Sequence, residues 1–315
     1  MQTEAPAPWL EGFDAYRSRE LDPLLEEMDQ SRQRALSKAK GRMIWVIPLV
    51  LLAAGLLWVF TQNPMFAVFA GFAGGGLGYA FIKAPFSEHN DLVKRELVTR
   101  LARFFDLDFE LKPVVTPVGA LERLGLVASH HRKSAEDRIF GAYNGVEIDV
   151  VELHLEQRRR SKNRTHYVTV FRGPVFVFSF PKRFVGRTVI KSDATAIGNW
   201  FGGIFSSAGR VKLADPEFER HFEVYGTDQV EARYLLTPGF MEALLRLRET
   251  LKSGVQAAFD GGQLYITANN NQDRFESGGW SQDETMAQQV DRFAQEIGVV
   301  FQIIDDLNLR SKTRL

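Results

Sequence analysis

The chain has no cysteine, and only six of its 315 residues are histidine. The absence of cysteine excludes disulfides, thiolate metal sites and cysteine nucleophiles, and it is consistent with a reducing compartment. Lysine plus arginine and aspartate plus glutamate number 39 each, so the formal net charge is zero. No overall charge therefore indicates nucleic-acid binding, and we expect no nucleic-acid partner.

Between Met43 and Ile82 the sequence has no Asp, Glu, Lys, Arg or His. The polar segment 61–64 divides this stretch into two apolar runs, 43–60 and 65–82. Each run would be about 27 Å long as a helix, which suits a slightly thin hydrocarbon layer. We predict a transmembrane helical hairpin. A cleaved signal peptide would have one apolar run near residue 1, and a buried soluble hairpin would show polar spacing.

Four glycines of the second run form two overlapping small-xxx-small pairs, Gly71 with Gly75 and Gly74 with Gly78. Such pairs let a neighbouring helix approach closely. The run lacks the preceding strand and the following Lys-Ser/Thr of a phosphate-binding loop. We therefore predict that these glycines form a helix-packing face in the membrane.

Basic residues flank the apolar stretch on both sides, and the connecting turn has none. They are Arg32, Arg34, Lys38, Lys40, Arg42, Lys83, Lys94 and Arg95. By the positive-inside rule, both ends of the hairpin face the cytoplasm. We expect an inner (plasma) membrane protein with both termini cytoplasmic and the lipid bilayer as a partner. Segment 1–42 is predicted to be a cytoplasmic segment with a charged amphipathic helix that leads into the first span.

Residues 83–315 have the patterning of one cytoplasmic α+β domain with a basic C-terminal tail. Helix signals cover 91–105, the residues after Pro117, 215–251 and 283–295. Strand signals are hairpins at Asn144-Gly145 and Asp260-Gly261-Gly262, and strands over 167–172, 175–180 and 187–190. The predicted fold class is α+β, with a two-helix transmembrane hairpin followed by a largely antiparallel sheet and packed helices. Apolar alternation changes phase near Val150-Val151, which predicts a bulge or a change of buried face.

Two segments are candidates for lipid contact. The basic run EQRRRSKNRT, residues 156–165, is either a solvated hairpin loop or a loop that touches the cytoplasmic leaflet. The run AIGNWFGGIF, residues 196–205, either enters the membrane interface or docks on a partner, or it folds onto the sheet as a lid. The candidate lipid-contact residues are Arg158, Arg159, Arg160, Lys162, Trp200 and Phe201.

Polar residues at a helix start form a candidate recognition surface, namely Asp228, Glu231, Arg233 and Tyr234. Arg233 offers a bidentate contact to a carboxylate or a phosphate. In the alternative interpretation Asp228 and Glu231 form a capping box, and Arg233 pairs internally with Glu217 or Glu219. Capping explains two of the four residues and favours this structural interpretation.

The run VKLADPEFERHFEVYGTDQVEARYLLTPGFMEALLRL, residues 211–247, is preceded by PKRFVGRT and followed by FDGGQLYITANNNQDRFE. These blocks resemble the bacterial family catalogued as domain of unknown function 3137, from the apolar hairpin to about residue 305. The resemblance implies a bacterial integral membrane protein with a large cytoplasmic domain, often encoded beside a LemA-type membrane protein. It implies no activity and no catalytic residues.

The soluble part shows no motif for catalysis. No histidine has a metal-ligand spacing such as His-Glu-x-x-His, and no nucleophile elbow or nucleotide-binding loop is present. We therefore expect no cofactor, no metal site and no catalytic residue. The leading hypothesis is a membrane-tethered interaction or scaffold module that binds a protein such as a LemA-type membrane protein, or a second copy of this chain. The alternatives are a peripheral reader of anionic lipid, and a hydrolase or transferase whose carboxylates need no local motif.

Overall fold

The protein's computed structural model describes residues 8–62, 65, 68, 71–76, 95–161, 164–179, 185–192, 208–269 and 286–311. The chain forms two compact units. Asp14–Arg100 is called the anchor unit here, and Met1–Phe13 with Leu101–Leu315 is called the sheet unit.

The anchor unit is built on a long helix, α1, that runs without interruption from Asp22 to Thr61. Its part Gly41–Thr61 is long and apolar enough to cross a membrane, and in the described part of the chain one helix meets that test. None of its most apolar stretch is buried, as expected of a surface that faces lipid. Pro48 lies within α1 without ending it, a placement that spanning helices tolerate.

The second apolar run is described in part, and residues 71–76 are helical. A Cβ added at Gly74 would lie 3.2 Å from both γ-methyl groups of Val50 on α1, so the backbone passes close to α1 at this glycine. Gly71 and Gly75 would meet no atom within 4 Å. Gly78 and most of the predicted span 65–82 lie outside the described residues. The two-helix hairpin therefore stays a prediction.

The sheet unit contains an antiparallel sheet of nine strands in the order β1-β2-β3-β4-β9-β8-β5-β7-β6, counted over the described residues. The strands are β1 Leu107–Glu110, β2 Arg132–Tyr143, β3 Val146–Ser161, β4 Arg164–Ser179, β5 Thr188–Ser192, β6 Gly209–Val211, β7 Phe222–Gly226, β8 Gly254–Asp260 and β9 Gln263–Asn269. The predicted α+β class with an antiparallel sheet is confirmed.

Short helical segments precede α1 at Pro8–Leu10, Phe13–Tyr16 and Arg17–Leu21. Beyond the second apolar run, six helices lie along the described residues. They are α2 at 95–104, α3 Val118–Arg123, α4 Pro216–His221, α5 Gln229–Leu235, α6 Pro238–Leu251 and α7 Met286–Ser311. The side chains of Asp215, Asp228 and Thr237 accept hydrogen bonds from the first backbone N–H groups of α4, α5 and α6, as their sequence positions predict.

The sequence pattern predicts that the last helix ends at residue 295. It continues to Ser311 because apolar side chains on one face stay buried beyond that point.

Both faces of the sheet are covered. On one face, Leu121 of α3 packs in a cluster with Leu153 of β3 and Val175 of β4. On the other face, Leu251 of α6 and side chains of α7 lie beside Val150 and Phe176. Strands covered on both sides read as continuous apolar runs in the sequence.

Strand β3 changes its buried face where the sequence pattern changes phase. Val146 and Ile148 are buried before the change, and Val151, Leu153 and Leu155 are buried after it. The register of β2 against β3 shifts between Glu136 and Ile139, opposite Val151. The bulge therefore lies in β2, where Asp137 has a φ of 53°.

Strand β4 runs through Gly173-Pro174, so the two separate strands predicted there are one. Pro174 pairs in register with Glu152 of β3, and the pairing of β4 with β9 begins only at Val175. A proline is tolerated here because one side of the strand is unpaired at this position among the described residues.

Removal of the Phe178 side chain should destabilise the sheet unit strongly. Phe178 is 0 % exposed and pairs in register with Ile148 and Leu264. Phe178→Ala should lower the free energy of unfolding by about 3–5 kcal/mol, because it removes buried contacts and leaves a cavity. Chemical denaturation of the full chain in detergent measures this value. Val230→Ala, at a residue that is 78 % exposed, is the control and should change it by less than about 0.5 kcal/mol.

Candidate functional site

Strands β3 and β4 continue as a two-stranded ribbon beyond the rest of the sheet. The pairing of β2 with β3 ends at Arg132 and Glu156, and β9 pairs with β4 only from Val175 onward. The β3–β4 ladder nevertheless continues to Ser161 and Arg164. We call residues 157–161 and 164–168 the arginine arm.

The arginine arm has no acidic residue. Between residues 157 and 168 the sequence has four arginines, Lys162 and His166, and no Asp or Glu. Because side chains alternate along a strand, Arg158 and Arg160 share one face, and Arg159 lies on the other. Arg159 stands opposite His166 in the ladder. Arg164, opposite Ser161, lies diagonally across from Arg159 on the same face. Like charges so placed repel each other, and a negatively charged surface would offset this repulsion.

Contacts at the base hold the arm in place. The guanidinium of Arg132 lies 3.4 Å from the ring centre of Tyr167, in cation–π geometry. The N–H of Arg158 donates to Nδ1 of His131 at 3.3 Å. The N–H of His131 in turn donates to the carbonyl oxygen of Glu156 at 2.8 Å. These contacts fix the direction in which the arm projects, so the arm is not a free loop.

The predicted loop 156–165 is thus wrong for most of its length. Arg158, Arg159 and Arg160 are strand residues with exposed side chains. The strand signal lies in the partner sequence HYVTV, which is rich in β-branched and aromatic residues. Lys162, Trp200 and Phe201, the other candidate lipid contacts, lie outside the described residues.

The recognition surface proposed around α5 is largely occupied by internal bonds. Asp228 Oδ1 accepts from the N–H groups of Val230 at 2.8 Å and Glu231 at 3.0 Å. The carboxylate of Glu231 accepts from Val185 N at 2.8 Å and from Gly186 N at 2.5 Å. Glu231 therefore ties a distant segment to α5, a role that the capping-box spacing did not suggest.

Arg233 does not form the expected pair with Glu217 or Glu219. Its guanidinium donates to the carbonyl and side-chain oxygens of Gln229, both at 3.2 Å. Glu219 instead accepts from the N–H of Leu213 at 2.8 Å. Arg233 is exposed and Tyr234 is half-buried.

The histidines do not form a metal site in the described part of the chain, where no group of His, Asp and Glu is placed to hold a metal ion. His130 Nδ1 lies 2.9 Å from Glu122 Oε1, and His154 Nε2 lies 2.8 Å from Thr169 Oγ1. In the ladder, His154 stands opposite Arg172 and His166 stands opposite Arg159.

Asp137, Glu152 and Glu296 line a small cavity between the sheet and α7. Its volume is about 40 Å³, and a single water occupies about 30 Å³ in the liquid. This cavity is too small to admit a substrate.

Lys191 on β5 is a half-buried cation that the sequence did not single out. Its ammonium donates to the carbonyl oxygen of Gly125 and, at 2.8 Å, to Oε1 of Gln256. Burial lowers the pKa of Lys191 from 10.5 to about 8, because the charged form loses its hydration.

The fold and the arm define an α+β protein with a helix suited to a membrane. Residues 169–309 of the chain match the model of the family described as "Protein of unknown function (DUF3137)", which confirms the resemblance of the sequence blocks.

A comparison with curated protein sequences yields no match. Among solved structures, the crystal structure of the mycobacterial trehalose monomycolate transport factor A, TtfA, is similar over 63% of this chain and 91% of that chain. The two are 12% identical, and the TM-score is 0.33. A similarity this low assigns neither a fold nor a function to this chain.

Loss of the Glu231 carboxylate should loosen the segment that it holds. Glu231→Ala leaves the N–H groups of Val185 and Gly186 without their acceptor and should lower the free energy of unfolding by about 1–2 kcal/mol. Arg233→Ala, which removes only bonds within one helix, should have a much smaller effect. Thermal unfolding of the full chain in detergent compares the two variants, and equal losses would contradict the tie.

Lys191 should make stability depend on pH. The pKa of Lys191 is about 8 in the folded chain and returns to 10.5 on unfolding, so between these values the unfolded chain binds more protons. The free energy of unfolding therefore rises as the pH increases from about 8 to 10.5. Lys191→Met should flatten that rise, whereas Lys212→Met, at an exposed lysine, should keep the wild-type slope. Denaturant titrations across this pH range measure both.

Proposed function

We propose that this chain is a membrane-anchored binding protein whose arginine arm contacts anionic lipid headgroups. The observation that carries the proposal is a paired ribbon, free of acidic residues, that extends past its sheet. In this proposal the sheet unit is a binding module with no catalytic role. A LemA-type partner and self-association stay predictions.

The arm's energetics favour an external anionic partner. A two-stranded ribbon is marginally stable by itself, and mutual repulsion of its cations weakens it further. Each basic residue near an anionic leaflet contributes about 1 kcal/mol of attraction. The arginines at 158, 159, 160 and 164 would together contribute about 4 kcal/mol, or roughly a thousandfold in affinity.

Because the anchor unit would hold the chain at the bilayer, even a weak contact between the arm and the headgroups would be sufficient for binding. The part Gly41–Thr61 of α1 has 21 residues and spans about 30 Å as a helix. A domain tethered to a bilayer meets its headgroups at a high effective concentration. The predicted cytoplasmic orientation of both ends would bring the arm to the leaflet that carries most anionic lipid.

A spin label on the arm tests the proposal in the full-length protein. Because the chain has no cysteine, Thr165→Cys introduces a single labelling site. The protein is placed in nanodiscs of phosphatidylcholine, with or without phosphatidylglycerol, that contain a nickel-chelating lipid. We expect nickel to relax the label more strongly in the anionic discs, and added salt should reduce the effect.

The matched controls separate the arm from overall charge. Arg158→Gln with Arg159→Gln should abolish the difference between the discs. Arg103→Gln with Arg233→Gln removes the same charge at two other exposed positions and should preserve it. A label at Val230→Cys reports any change unrelated to the arm. Equal relaxation of the arm label in neutral and anionic discs would refute lipid contact.

A further inference from the structure

A groove of about 770 Å³ opens at one end of the sheet. Ser192 at the end of β5, Gly254 at the start of β8 and Asn269 at the end of β9 line it. A Cβ added at Gly254 would lie 3.5 Å from Ser192 Oγ. The backbone at Gly254 therefore passes close to Ser192 at this end of the sheet.

The remaining lining residues come from the C-terminal ends of α4 and α6, and most are basic. Arg220 and His221 belong to α4, and Arg248 and Lys252 lie at the end of α6, with Glu249 as the acidic member. Arg248 is half-buried. Among the described residues, no carboxylate lies within 4.0 Å of any of these basic side chains.

Three other arginines of the sheet unit are paired with carboxylates, unlike those that line the groove. Arg187 pairs with Asp260 at 3.2 Å, Arg138 with Asp149 at 2.8 Å, and Arg210 with Glu223 at 3.4 Å. Basic groups that converge without an acidic partner indicate a place for an external anion.

The helix ends do not neutralise the groove. Each helix C-terminus contributes the equivalent of about half a negative charge, and Glu249 adds one more. Arg220, Arg248 and Lys252 outweigh this total. The groove therefore keeps a net positive charge.

A neutral donor lies among the basic residues. Ser253 lines the groove, and its Oγ is shielded from solvent and has no hydrogen-bond partner in the described structure. An unsatisfied buried hydroxyl costs about 1–3 kcal/mol. An oxyanion in the groove would accept this hydrogen bond, and remove the cost, once the shielded hydroxyl turns toward the groove.

We propose that the groove binds a phosphate group, carried either by a small soluble molecule or by a lipid headgroup. Guanidinium groups match phosphate oxygens with paired hydrogen bonds, and the hydroxyl of Ser253, once turned toward the groove, supplies a further donor. The groove has the volume of a small-molecule site, for which about 300–1,000 Å³ is usual. Its residues are distinct from those of the arginine arm.

Titration calorimetry on the full chain in a maltoside detergent, which contains no phosphate, tests the site. Inorganic phosphate and sn-glycerol 3-phosphate represent the free ligand, and short-chain phosphatidic acid represents the headgroup. We expect saturable binding of one or more of these probes. Arg248→Gln should weaken it by about tenfold or more, as loss of a charge-assisted bidentate contact does. Binding confined to phosphatidic acid would identify a headgroup site.

A second variant tests the site in case Arg248→Gln does not fold. Lys252 has a φ of 46°, a conformation that asparagine tolerates, so Lys252→Asn should fold and bind phosphate more weakly. Arg103→Gln with Arg233→Gln, at exposed positions outside both the groove and the arm, should keep the wild-type affinity, which separates this site from overall charge. No binding of any probe by the wild-type chain would overturn the proposal. So would unchanged affinity in both Arg248→Gln and Lys252→Asn.

Discussion

The hydrogen-bonded ladder between β3 and β4 is the interaction on which the rest of the sheet unit depends. It runs from Glu147 and Ser179 to Ser161 and Arg164. Strand β2 adds to one side of it, and β9 adds to the other. The same two strands supply the middle of the sheet, the change of buried face at Val151, and the arginine arm. One continuous pairing thus joins the apolar core to the most basic surface of the unit.

The arm and the groove lie toward the same end of the sheet. The N–H of Arg172 on β4 donates to the side-chain oxygen of Asn269, a groove residue, at 3.3 Å. Strand β4 continues from Arg172 back into the arm. Two clusters of basic residues, the arm and the groove, therefore lie at one end of the sheet, whose two faces are both covered. An extended anionic surface would meet both of them.

Local chemistry made part of this structure predictable. Asp215, Asp228 and Thr237 cap helices because a side-chain oxygen bonds to N–H groups two or three residues away. The hairpin turn at Asn144-Gly145 follows from φ values that favour these residues. The arm was expected as a loop because arginines carry no strand signal of their own. Their strand form depends on a partner sequence across the ladder.

Contacts distant in sequence were not predictable in this way. Glu231 bonds to residues 185 and 186, and no spacing rule links those positions. The groove draws residues from three strands and two helices, so only the sheet order brings them together. The lowered pKa of Lys191 was not predictable either, because it comes from the burial of this residue in the folded chain.

The unbroken course of α1 also has a mechanical consequence. If its part Gly41–Thr61 crosses a bilayer, this helix tilts as one rigid rod, because no break separates that part from the one before it. Its part before Gly41, which begins at Asp22, extends about 28 Å at 1.5 Å per residue. A tilt of about 20°, ordinary for a spanning helix, would carry its far end sideways by roughly 10 Å. A change in bilayer thickness that altered this tilt would therefore move the far end of α1 sideways in the aqueous phase.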